Sequence, residues 1–158
     1  MKNHNGIIAR EFEDRAINYL INRHFISRCH KVNPTNEYTN LLGKHVNTTG
    51  PDIKIETGMT RLIGEVKCIN QCCHGNNRQT VEKDILELIN GKDSSKLKYD
   101  VSSYVKFFII KKINNIKEIL INIANKNDIN IEFLQDHKYR SLKFQDLSKD
   151  KIYIIILN

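Results

Sequence analysis

No stretch of the 158 residues approaches the ~18 consecutive apolar residues that a membrane-spanning helix needs, so the chain offers no transmembrane candidate. The opening residues, MKNHNGIIAREFEDR, contain no apolar segment of the ~7–15 residues that a secretory signal requires, which predicts a cytoplasmic protein. Four cysteines without a secretion signal are then expected to be reduced thiols. Only two prolines and seven glycines are present, and no Pro/Gly linker, internal repeat or low-complexity tract divides the chain. A single domain over residues 1–158 is expected, long enough for a real hydrophobic core. Also missing are G-x-x-x-x-G-K-[ST], G-x-G-x-x-G and H-E-x-x-H, which leaves nucleotide-driven activity, dinucleotide cofactors and zincin proteolysis without support. No RNA-binding aromatic motif occurs either.

Acidic residues are the scarcer charge: 18 Asp and Glu against 25 Lys and Arg leave a net charge of +7. An excess of this sign and size favours polyanionic partners, nucleic acid first, although a merely solvated basic surface has the same composition. Hydrophobic residues at 40% and charged residues at 27% are otherwise ordinary for a soluble globular protein.

Periodicity sets out the elements. Residues 7–23 (IIAREFEDRAINYLINR) read as an amphipathic helix, and 25–32 (FISRCHKV) as a short strand before a polar connection over 33–50. Two strands follow at 52–56 (DIKIE) and 61–69 (RLIGEVKCI), joined at Thr57–Gly58. Residues 78–90 (RQTVEKDILELIN) form a second helix with Val81, Ile85, Leu88 and Ile89 on one face and Gly91 just past its end. A largely apolar strand at 104–112, a helix at 115–125, and strands at 129–134 and 151–157 complete the chain. This order predicts an α/β protein with a central mixed sheet flanked by helices.

The hairpin at 50–67, GPDIKIETGMTRLIGEVK, carries the chemistry. Side chains alternate along a strand, so Glu65 and Lys67 project the same way, and Asp52 opens the partner strand where it can approach them. Two converging carboxylates make an all-oxygen site suited to Mg2+, which keeps several waters and binds phosphate oxygens. A lysine beside such a site supplies positive charge near a scissile phosphate. The competing explanation is a salt-bridged hairpin in which Lys67 pairs with Asp52 or Glu65.

Pro51-Asp52, twelve intervening residues and then Glu65-Val66-Lys67 resembles the motif of the PD-(D/E)xK nuclease superfamily. The strands that carry it, and the helices around them, are similar to that family's restriction endonuclease-like αβββαβ core over roughly residues 6–112, with a helix and strands added at the C-terminal end. The resemblance implies a metal-dependent DNA endonuclease using Mg2+, with Mn2+ as a substitute. Asp52 and Glu65 would be metal ligands together with the main-chain carbonyl of Val66, and Lys67 would orient or activate the attacking water.

The first helix adds a fourth residue. At ~100° per residue, Phe12, Ala16, Leu20, Ala9, Ile17 and Tyr19 form one apolar arc; Glu13 falls inside it and Glu11 opposite. A carboxylate aimed at a core needs a partner or a metal. Glu13-Asp14-Arg15-Ala16 also resembles the helix that supplies an extra active-site glutamate in resolvase-like branches of the family, which implies Glu13 as a further metal or water contact. The alternative for Glu13 is an ion pair with Arg10, Arg15 or a basic strand residue. Gln71, Arg78, Gln79 and Lys83 are candidates for a further contact from the second helix.

Sulfur offers a rival site. Cys68, Cys72, Cys73 and His74 cluster, with Cys29 and His30 elsewhere, but adjacent Cys72, Cys73 and His74 fit a zinc tetrahedron poorly, and Cys68 falls on the strand face opposite Lys67. Double-stranded or branched DNA is the expected partner. A type II restriction enzyme acting as a homodimer suits a symmetric target and a double-strand cut. Segment 33–50 and the tail after residue 125 are then the material for reading bases. A Holliday junction resolvase and a non-catalytic DNA-binding subunit are the other readings.

Overall fold

Residues 105–111, VKFFIIK, alternate poorly and are apolar at five of seven positions, as a strand covered on both faces must be, and they form the middle of the sheet. The computed structural model describes residues 4–26, 37–39, 45–47, 51–57, 59–69, 76–91, 101–136 and 142–158. Along these run α1 (His4–Asn22), β1 (Glu37–Thr39), β2 (His45–Asn47), β3 (Ile53–Thr57), β4 (Thr60–Lys67), α2 (Asn76–Asn90), β5 (Val105–Lys111), α3 (Ile116–Asn127), β6 (Ile131–Phe133) and β7 (Ile152–Leu157). The order across the five-stranded sheet is β3-β4-β5-β7-β6. β3 and β4 pair antiparallel and the other three pairings are parallel, so the sheet is mixed.

Strand alternation splits the core in two. Leu62, Phe107, Ile109 and Ile155 meet Phe12, Ala16 and Leu20 of α1 on one face. Ile63, Phe108, Ile110 and Ile154 meet Val81, Ile85 and Leu88 of α2 and Leu120 and Ile123 of α3 on the other. Burying each such Leu, Ile or Phe is favourable by roughly 1.5–3 kcal/mol, which makes these two layers the main stabilising term. The α/β class with helices on both faces of a mixed sheet is therefore as the periodicity predicts.

Two local expectations change, and a third gains its place in the sheet. Phe25 does not start a strand. His24 adopts a left-handed φ of 59°, its N–H donates to the Ile21 carbonyl (2.9 Å) and the Phe25 N–H to the Leu20 carbonyl (3.0 Å), closing α1. Phe25 and Leu20 then pack together in the α1-side core, the apolar contact that accompanies this kind of helix end. The remainder of the expected strand, 27–32, lies outside the described residues. The polar connection over 33–50 contains the small antiparallel ribbon of β1 and β2, whose three-residue strands carry no legible alternation. The strands expected after residue 125 are present as β6 and β7, and β7 lies between β5 and β6, with Ile152, Tyr153, Ile154 and Ile155 buried. Gln135 continues the short β6, exchanging two hydrogen bonds between its side-chain amide and the Ile156 main chain.

Candidate active site

Pairing of Ile53 with Gly64 and of Thr57 with Thr60 fixes the β3–β4 hairpin. One step beyond Ile53 and Gly64, the same register sets Asp52 opposite Glu65. Here the ladder has ended, and the Val66 N–H donates to Asp52 Oδ2 at 2.9 Å, so a carboxylate takes the acceptor role that a strand carbonyl would have filled. Glu65 is in turn hydrogen bonded through its side chain to Asp52. Burial first, then the Asp52 charge and that hydrogen bond, raise the Glu65 carboxyl to about 10, with Asp84 and Glu87 adding to the effect. At neutral pH the raised Glu65 carboxyl keeps its proton.

Glu13 approaches from α1. Its carboxyl is raised to about 7, chiefly by burial and next by the charges of Asp52 and Asp14, with Arg10 opposing. Phe12 and Ala16 are fully buried on the same helix, which fixes the rotation of α1; Glu13 is half-buried and Glu11 exposed, as the helical arc predicts. The alternative partner Arg15 turns away instead, donating to the Asn158 carbonyl (2.7 Å) and stacking over Phe12.

Lys67 faces α2 with Glu65, yet its ammonium lies 3.6 Å from Asp84 Oδ2. The salt-bridged hairpin, with Lys67 paired to Asp52 or Glu65, is therefore not the arrangement found. Asp84 escaped the sequence reading. Burial raises its carboxyl, Lys67 lowers it and Asp52 raises it again. Of the residues proposed from the second helix, Arg78, Gln79 and Lys83 are exposed, and Gln71 lies outside the described residues. The signal for Asp84 was present: at ~100° per residue it falls beside Val81, Ile85 and Leu88, as Glu13 falls beside Phe12 and Ala16.

Asp52, Glu65 and the Val66 carbonyl are the groups that could hold a cation. Among the described residues no three His, Cys, Asp or Glu side chains form a metal-holding group by themselves. Two carboxyl oxygens and a main-chain carbonyl are a donor set for an ion that keeps most of its waters, as Mg2+ does. Cys68 packs with the α1-side core, on the other face from Lys67, and Cys29, His30, Cys72, Cys73 and His74 lie outside the described residues. No family model, curated protein or solved structure matches this chain.

Proposed function

We propose that the chain is a metal-dependent DNA endonuclease of the PD-(D/E)xK type, with Asp52, Glu65 and Lys67 at its centre and Glu13 completing the site from α1. The supporting observation is that the hairpin register sets Asp52 opposite Glu65, where burial and the Asp52 charge raise the Glu65 carboxyl, while the Lys67 ammonium is paired with Asp84 at 3.6 Å. A hairpin selected for stability alone gains nothing from two acids in contact, whereas a divalent cation turns the repulsion into binding.

Asp52, Glu65 and the Val66 carbonyl would hold the ion, and the net charge of +7 favours the polyanionic substrate. When bound, Mg2+ supplies Lewis-acid polarisation of a phosphate oxygen and a more acidic water. Lys67 contributes a fixed positive charge beside the phosphate, and it orients the attacking water by donating to it. Glu13 accepts a hydrogen bond from the same water on the α1 side.

The restriction-type role drew on two stretches for base reading. One of them, the tail after residue 125, contributes β6 and β7 to the sheet. The junction-resolving alternative needs phosphate and shape contacts more than base contacts. Incubation with plasmid and with synthetic four-way junctions, with and without Mg2+, tests both. Cleavage is expected in Mg2+ or Mn2+, binding without cleavage in Ca2+, and binding without cleavage for Lys67→Ala. Discrete plasmid fragments identify the restriction role; symmetric junction cuts that spare linear duplex identify the resolvase. Full activity in EDTA removes the two-carboxylate site altogether.

A further inference from the structure

Lys67 shares a strand face with Glu65, but its ion pair is with a residue that the hairpin does not supply. The Asp84 side chain is only 19% exposed and that of Lys67 27%, so the pair is largely shielded from solvent. Val81, Ile85 and Leu88 pin the same face of α2 to the sheet, which makes the position of the Asp84 carboxylate a consequence of helix packing. Without Asp84, the acidic groups left near Lys67 are those of the Asp52–Glu65 pair, with Glu87 beyond them, and the pair supplies the oxygens a cation needs. An ammonium drawn onto them would compete for the same oxygens.

We infer that Asp84 is a positioning residue that holds the Lys67 ammonium off the Asp52–Glu65 pair, leaving the pair open to a divalent cation and Lys67 beside it. This rests on the nuclease reading for its catalytic consequence, and on geometry alone for its effect on cation binding. Asp84 acts through Lys67, so its importance should vanish when Lys67 is gone. A direct ligand would matter equally in both backgrounds.

The test is calorimetric titration of Mn2+ into the full chain, with DNA cleavage measured on the same samples. Asp84→Asn keeps the shape and removes the charge; it is expected to weaken Mn2+ binding at least about tenfold, and to lower kcat at least about tenfold while DNA affinity in Ca2+ stays within about twofold. In a Lys67→Ala background, the same substitution should change Mn2+ affinity less than about threefold. Asp84→Glu keeps the charge, should hold Mn2+ affinity within about threefold of the parent, and serves as the readable variant if Asp84→Asn does not fold. Equal losses with and without Lys67 overturn the inference and make Asp84 a ligand, and no loss in either background overturns it too. Coupled Mn2+ losses in a protein that cuts neither plasmid nor junction uphold the positioning role and sink the nuclease reading instead.

Discussion

Glu13 and Glu11 stand two residues apart on α1 and in opposite environments, one half-buried beside Asp52 and the other in solvent. Glu13→Gln is expected to lower cleavage by about tenfold or more, the scale of losing one water-orienting group, while Glu11→Gln stays within about twofold. The same Glu13→Gln should unfold at an equal or higher urea concentration at pH 8, because it removes a carboxylate that folding desolvates. Similar cleavage by the two variants would show that the face of α1 is irrelevant to the site. Asp52, Glu65 and Lys67 were legible in the sequence because a strand has only two faces and a hairpin only one register. Glu13 was legible because an acid inside an apolar arc has to be explained. Asp84 obeys the same rule on α2, but its partner Lys67 comes from a different element, so the pairing is a tertiary contact that helix periodicity alone does not reveal.

Elements with strong periodicity were legible to within a few residues, whereas elements defined by non-local pairing were not. The run KIYIIIL announces a strand buried on both faces, but nothing in it says that β7 inserts between β5 and β6. Phe25 and Ile26 have strand-like composition and instead cap α1, because the left-handed turn at His24 makes Phe25 a better plug for the core than a ladder residue. Lys106 shows what β5 and the turn before β7 require of each other. It is 4% exposed, and its ammonium donates to the carbonyls of Tyr104 (3.1 Å) and Lys149 (2.7 Å). Lys106→Ala deprives both carbonyls of this donor and should destabilise the fold by about 2–4 kcal/mol in urea denaturation. A loss under about 0.5 kcal/mol would mean that the lysine does not tie these segments together.

At the scale of the whole molecule, the carboxyl cluster couples stability to pH. Glu65 is raised to about 10 and Glu13 to about 7 in the folded chain, both from an ordinary value of 4.5. Between 4.5 and those values the folded state binds more protons than the unfolded state, so stability from these groups is complete below 4.5 and is lost as pH rises. The thermal midpoint of the metal-free protein should fall from pH 5 to pH 9, more steeply below about 7 where both groups contribute. Glu65→Gln should flatten the upper part of that slope, and Mn2+ should restore stability most at high pH. On the proposed function, a divalent cation binding at Asp52 and Glu65 displaces the Glu65 proton. Calorimetric titration of Mn2+ at pH 8, in two buffers of different ionisation enthalpy, counts the protons released as the ion binds. About one proton per ion is expected, with both binding and release abolished in Glu65→Gln; Mn2+ uptake without proton release, or undiminished in Glu65→Gln, would contradict the account.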